Sequence, residues 1–240
     1  MKVDLDLCIG CGECVPYCPM SALSAESGQA TVDRAECVEC NICVNSGVCP
    51  VGALAAEDEL PWPRAVRRVF SDPLRPHSLT GVPGRGTEEI KTNDVTGRVR
   101  QGRVGVAAEL GRPGVGAHFS DVQVVSSAVA PLGVAFEEKN PVTSFIIDRA
   151  TGLLDPELLG EKVLSAIVEF EIPLDQLAAT LAAIGQAAKA VQTVFSLDVA
   201  CVDQDRQAVE AIMRVAGFHF LPNGKTNVGL GRPLAFGGER

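Results

Sequence analysis

Eight of the chain's nine cysteines lie in its first fifty residues, in two runs: Cys8-x2-Cys11-x2-Cys14-x3-Cys18-Pro19 and Cys37-x2-Cys40-x2-Cys43-x5-Cys49-Pro50. A stretch this short cannot bury enough apolar surface to hold itself folded, so its thiols must supply the missing cross-links. The two runs end alike, Cys18-Pro-Met-Ser-Ala-Leu23 against Cys49-Pro-Val-Gly-Ala-Leu54, which marks a duplicated half-unit. Structural zinc uses Cys-x2-Cys pairs two at a time and has no need of a third cysteine in register followed by Cys-Pro. Disulfides are rare in a chain that opens Met1-Lys2-Val3-Asp4-Leu5, without the apolar stretch of a signal sequence.

Three thiolates spaced by two residues turn inward from one tight loop onto a single face of an iron–sulfur cubane, while a fourth, behind a longer spacer and a proline, points away. These residues resemble the bacterial, clostridial-type ferredoxins with two 4Fe-4S clusters; the resemblance covers residues 1–60 and says nothing about the rest. It implies that Cys8, Cys11, Cys14 and Cys49 hold the first cluster, that Cys37, Cys40, Cys43 and Cys18 hold the second, and that electrons pass between them. It also implies an anaerobic or microaerobic host. Ile9, Val15, Val38, Ile42, Val44 and Val48 lie among the cysteines as an apolar wrapping for sulfur, with the amides of Gly10 and Gly12 expected to point at it. The second run departs from the family pattern. Five residues, Val44-Asn45-Ser46-Gly47-Val48, separate its last two cysteines instead of three, and the expected outcome is a surface bulge near the first cluster with Cys49 still a ligand.

The 240 residues divide into a ferredoxin-type domain over 1–58, a Pro/Arg-rich linker over 59–86 and a larger domain over 87–240. Residues 1–60 carry ten acidic side chains against Lys2 and Arg34, whereas 61–86 carry five arginines against Asp72; the whole chain stands at −9. An acidic face suits docking on a basic rim around a partner's redox centre. Pro61, Pro63, Pro73, Pro76 and Pro83, with Gly81, Gly84 and Gly86, restrict the linker to a short helix around Arg64–Phe70. Arg64, Arg67 and Arg68 then share a helical side that faces solvent, an anion or an acidic neighbour, including the ferredoxin surface itself. Trp62 reads as an anchor that packs the linker down.

From Thr87 onward strands and helices alternate. Val104–Glu109, Val134–Glu137, Val142–Ile147, Val163–Ile172 and Val194–Val202 read as strands. Ser120–Ala130, capped by Ser120 and Gln123, Leu174–Ala190, with Leu177, Leu181, Ile184 and Ala188 on one stripe, and Gln204–Ala216, closed by Gly217, read as helices. A helical turn starts at Asp155-Pro156, and Phe218–Leu221 with Thr226–Leu230 reads as a hairpin over Pro222-Asn223-Gly224. The fold class is α+β: a small cluster-stabilised domain followed by an α/β sandwich with helices on one face of a mainly antiparallel sheet, built of ferredoxin-like or ACT-like halves.

In the larger part, Gly111-Arg112-Pro113-Gly114-Val115-Gly116 lies between a strand and a helix and is the candidate anion loop, echoed by Gly229-Leu230-Gly231-Arg232-Pro233. It matches neither the dinucleotide fingerprint nor a P-loop. Lys91-Thr92-Asn93-Asp94 with Gly97-Arg98 forms a polar segment suited to a partner or ligand. His77, His118 and His219 are scattered, Cys201 sits in a strand as a buried thiol, and no catalytic residue stands out. An acidic chain with few aromatics excludes nucleic acid, and no window is long and apolar enough to span a membrane. The expectation is a cytoplasmic, non-catalytic electron-transfer component, a subunit or accessory protein of a larger oxidoreductase whose partner is a redox-enzyme subunit or flavoprotein. The alternative is a redox- or ligand-responsive regulator with an ACT-like sensing domain that takes a small molecule in 87–240.

Overall fold

The computed structural model describes residues 1–26, 28–78, 80–83, 99–112, 114–218 and 220. In the N-terminal part regular structure is sparse: β1 (Lys2–Val3), β2 (Leu23–Ser24), β3 (Thr31–Val32), one helical turn α1 (Ile42–Asn45) and β4 (Leu54–Ala55). β1 pairs antiparallel with β4 and β2 with β3, so the ends of the duplicated segment are drawn together. Between the strands the chain turns tightly around its thiols. Gly10 shows why: at φ +67° an added Cβ would lie 1.9 Å from the Gly28 carbonyl oxygen, so two loops meet there backbone to backbone. The interior consists of Met1, Met20, Ala22, Leu23, Ala30 and Val38 packed among the cysteines.

Helix α2 (Ala65–Ser71) occupies the segment expected as a linker. Its Val66 and Phe70, four residues apart, are buried in the core of the larger part, and Arg67 and Arg68 are buried as well. Phe70 meets Phe119 edge to face at 5.4 Å between ring centroids. The other side of α2 lies on the cysteine-bearing part, where Arg67 reaches the carbonyls of Ala35 and Cys37, so this helix packs on both neighbours. Trp62 anchors it as expected: its indole N–H donates to Glu157 at 2.6 Å, and its ring lies 6.3 Å from that of Phe145.

The larger part runs β5 (Arg103–Leu110), β6 (Ala117–His118), α3 (Phe119–Val129), β7 (Ala135–Phe136), β8 (Ile146–Asp148), β9 (Leu153–Leu154), β10 (Lys162–Val163), β11 (Ala166–Pro173), α4 (Leu177–Ala187), β12 (Phe195–Ala200) and α5 (Arg206–Val215). Four strands form one antiparallel sheet in the order β12-β5-β11-β7. With α3 and α4 this is a single β-α-β-β-α-β unit of the split type, where two halves were expected. Alternation decides the faces: Val104, Val106, Ala108 and Leu110 of β5 and Ala166, Val168, Phe170 and Ile172 of β11 face the helices. The opposite face carries Ala107 and Ile167 with the buried carboxylates Glu109, Glu169 and Glu171. On α4, Leu177, Leu181 and Ile184 are fully buried, each contributing about 1.5–3 kcal/mol; Ala187 completes the stripe and Ala188 is exposed.

Several boundaries differ from those read in the sequence. Pro141–Phe145 is a 3₁₀ helix because Pro141 takes its first position and the Asn140 side chain accepts the Val142 amide at 2.9 Å; only Ile146–Asp148 is strand. The long strand expected over 163–172 breaks at Leu164-Ser165 into β10 and β11. Helix α3 begins after His118, whose amide donates to Asp121 at 3.4 Å, while Gln123 accepts the Leu154 amide instead of capping. Most of the C-terminal hairpin, residues 221 and 226–230 among them, lies outside the described residues.

Candidate metal centres

Two hollows open within the N-terminal part, and each is ringed by four thiols. One, of about 320 Å³, is lined by Cys8, Cys11, Cys14 and Cys49 with Ile9, Val51 and Leu54; the other, of about 330 Å³, by Cys37, Cys40, Cys43 and Cys18 with Met20, Leu23 and Val38. Each run thus sends its first three cysteines to one hollow and its last to the other. The repeated Cys-Pro-x-x-Ala string aims the fourth thiol: the amide of Ala22 donates to Cys18 Sγ and that of Ala53 to Cys49 Sγ, both at 3.2 Å. Ala30 donates likewise to Cys8 Sγ at 3.3 Å. These alanine amides take the part expected of Gly10 and Gly12, whose positive φ serves the turns.

The lengthened loop before Cys49 is absorbed as helical structure. α1 continues through Ser46, whose amide returns to the Ile42 carbonyl, and Gly47 ends it at φ +64°. Asn45, Ser46 and Gly47 are exposed, and Cys49 still reaches the first hollow.

The hollows differ in depth. At the second, Cys37, Cys40 and Cys43 are all buried; at the first only Cys14 is, and Cys11 is exposed. Burial, reinforced by neighbouring thiols, pushes Cys40 up to about 12 and Cys43 up to about 11. Burial also raises Cys37 and Cys14, whereas the amides of Ala53 and Val51 pull Cys49 below the usual thiol value. Protonated thiols in an apolar pocket become thiolates only when a cation replaces the protons, so loading releases acid. Four soft donors, apolar walls and sulfur-directed amides fit an iron–sulfur cluster. Of the wrapping residues, Val38 is buried and Val15, Ile42, Val44 and Val48 are half-buried, but Ile9 is 64% exposed.

Arg64, Arg67 and Arg68 of the intervening segment are engaged. Arg64 donates to Glu39 at 2.9 and 2.6 Å, and the buried Glu39 also accepts from the Met1 ammonium. Burial alone would raise the Glu39 carboxyl, but these two cations hold it below its usual value. Arg67 donates to the carbonyls of Ala35 at 2.7 Å and Cys37 at 2.9 Å and pairs with Glu161; Arg68 donates to the Glu57 carbonyl at 2.8 Å. Lys162 of β10 pairs with Glu36, and Asn41 donates to Asp72 at 2.9 Å. Single residues such as Asn41, Asp72 and Lys162 carry no motif. The spacing of Val66 and Phe70 was the readable sign that this segment packs.

In the glycine loop three amides are already engaged within the protein. The amides of Val115 and Gly116 return to the Gly111 carbonyl and that of Gly111 to Val194. A Cβ on Gly116 would lie 2.7 Å from Met20 Cε, so the loop packs on the Cys18-Pro19-Met20 turn. Pro113, Gly229-Leu230-Gly231-Arg232-Pro233, Lys91-Thr92-Asn93-Asp94, Gly97-Arg98 and His219 lie outside the described residues. His77 is buried with its ring edge-on to Phe70, His118 precedes α3, and Cys201 is half-buried with its thiol raised by burial. Among the described residues no helix is long and apolar enough to cross a membrane.

This thiol framework is of ferredoxin type, and the comparisons agree for the N-terminal segment that carries it. Residues 1–24 match the family model of the 4Fe-4S binding domain. Ferredoxin-1 of Rhodobacter capsulatus is 40% identical over 40 residues, 17% of this chain and 62% of that protein. A probable ferredoxin of Methanosarcina thermophila is 56% identical over 36 residues, 15% of this chain and 62% of its own length. The ferredoxin of Pyrobaculum islandicum is 40% identical over 58 residues, 24% of this chain and 52% of its own. The chain therefore spans 62% or less of the length of these relatives. No solved structure matches it.

Proposed function

We propose that this protein transfers electrons through two 4Fe-4S clusters as a dedicated, non-catalytic component of a larger oxidoreductase. Cys8, Cys11, Cys14 and Cys49 hold one cluster, and Cys37, Cys40, Cys43 and Cys18 the other. When bound, such a cluster takes up and gives back one electron at a time without bond changes. The observation that carries the reading is the exchange of Cys18 and Cys49 between the two hollows, which gives each a complete set of four thiols. The chain's own residues supply the rest: apolar walls exclude water from sulfur, and the amides of Ala22, Ala30 and Ala53 stabilise negative sulfur. A fused part of this size exceeds what a free carrier needs, which supports a dedicated component.

The test is reconstitution of the 240-residue chain with iron and sulfide under anaerobic conditions. About eight irons and eight sulfides per chain, with two one-electron centres in a reductive titration monitored by electron paramagnetic resonance, are expected. Four irons and a single centre would reduce the assignment to one cluster. Stoichiometric zinc with no reducible centre would remove it.

A further inference from the structure

The two hollows are unequal in a way that assigns them different work. The second is closed on the side of the larger part. Arg67 grips the carbonyls of Ala35 and Cys37, Asn41 is bonded to Asp72, Lys162 is paired with Glu36, and Gly116 sits against Met20. Its Cys37, Cys40 and Cys43 are each no more than 8% exposed. The first has an exposed thiol, Cys11, and two exposed apolar side chains, Ile9 and Val51, in its wall. Leu5 and Leu7, in the segment that leads into it, are about half exposed, and Asp4, Asp6 and Glu13 are exposed among them. Isolated exposed apolar residues are ordinary, but four flanking one thiol-lined hollow form a patch with a purpose.

Electron transfer falls steeply with distance, so a partner must touch the site it exchanges with. Resting on the reading of both hollows as cluster sites, we infer that exchange runs through the first hollow alone, by docking of a redox protein that presents an apolar cofactor edge inside a basic rim. The occupant follows from charge: the N-terminal sixty residues hold ten acidic side chains against two basic ones, and no Lys or Arg interrupts the stretch from Asp4 to Glu13. The second hollow, reached only through the first, stores the electron inside the chain. In each exchange one electron passes from the reduced protein to the oxidised partner, which is reduced by one; no proton or bond moves.

The loaded, reduced protein is mixed in stopped flow with ferric cytochrome c, a basic protein with an accessible haem edge, which becomes ferrous. Ile9→Lys and Asp6→Lys are each expected to lower the second-order rate by about tenfold at low salt, and the loss should shrink as salt rises. Lys162→Ala, in the cover of the second hollow, is expected to leave the rate within about twofold. Independently, a dysprosium chelate frozen with the reduced protein should speed the spin relaxation of one centre, the same one whose midpoint Ile9→Lys raises. Equal relaxation of both centres, a response from the other one, a rate unmoved by both lysine variants, or a rate raised by Lys162→Ala would overturn the single port. A preparation with only one reducible centre would instead overturn the two-cluster reading, and this inference with it.

Discussion

The Asn41 side-chain amide donates to the Asp72 carboxylate at 2.9 Å, and both residues are buried, 31 positions apart in the chain. This bond ties the second cysteine run to the end of α2, and the same carboxylate accepts the Leu74 amide at 3.0 Å. Removing it leaves a buried carboxamide with nothing to receive its N–H, at about 1–3 kcal/mol. Asp72→Ala in the loaded protein is therefore expected to lower amide protection in residues 65–71 and at Leu164, whose N–H is held by Ser71 at 2.9 Å. Unchanged hydrogen exchange there would mean that the cover does not depend on this bond.

Iron removal should unfold one part and spare the other. The N-terminal interior is a few small apolar side chains packed among its cysteines, whereas the larger part has a continuous apolar core running from Val66 and Phe70 through β5, β11, α3 and α4. A strong chelator is expected to abolish amide protection across residues 1–58 while the central strands β5 and β11 keep theirs. Collapse of protection in both parts together would show that the larger core needs the clusters too.

What could be read from sequence alone follows from how local each signal is. The cysteine spacing encodes the three-thiol face of each ring, which is set within a few residues, whereas the crossing of Cys49 to the first ring and Cys18 to the second is implied by the family resemblance and not by spacing. The stripe Leu177, Leu181 and Ile184 is just as local and declares α4. Val142–Ile147 has the apolar composition of a strand, but Asn140-Pro141, a cap and a first-turn proline, wind its first half into a 3₁₀ helix. The prolines of 59–86 give it the composition of a linker, while Val66 and Phe70 carry the sign that α2 packs into the core. The cover of the second hollow was invisible: Lys162 and Glu36 are 126 residues apart, and no periodicity reports such a pair.

His77 makes stability depend on pH. Burial lowers its pKa from 6.5, since the charged imidazolium is disfavoured beside Phe70. The unfolded chain then binds the proton more readily, so this contribution to stability is complete above about 6.5 and is lost as the pH falls toward the lower folded value. Denaturation of the loaded protein between pH 7 and 5 is expected to show declining stability, and His77→Gln should flatten that slope. An identical slope in the variant would place the titrating group elsewhere.

Arg67 sets the electrical environment of the second hollow. Its guanidinium is buried, donates to the Cys37 carbonyl at 2.9 Å and pairs with Glu161 of the larger part. A cation fixed beside a thiol ring favours the more negative, reduced state, so Arg67→Gln is expected to move the midpoint of that centre to more negative potential and leave the first nearly unchanged. Glu161, half-buried, then stands charged against a neutral amide and adds to the shift; the double change Arg67→Gln with Glu161→Gln should recover part of it. A redox titration monitored by electron paramagnetic resonance resolves the two centres. If neither midpoint moves, the field of Arg67 is neutralised by Glu161 and the potential is set by the sulfur-directed amides instead.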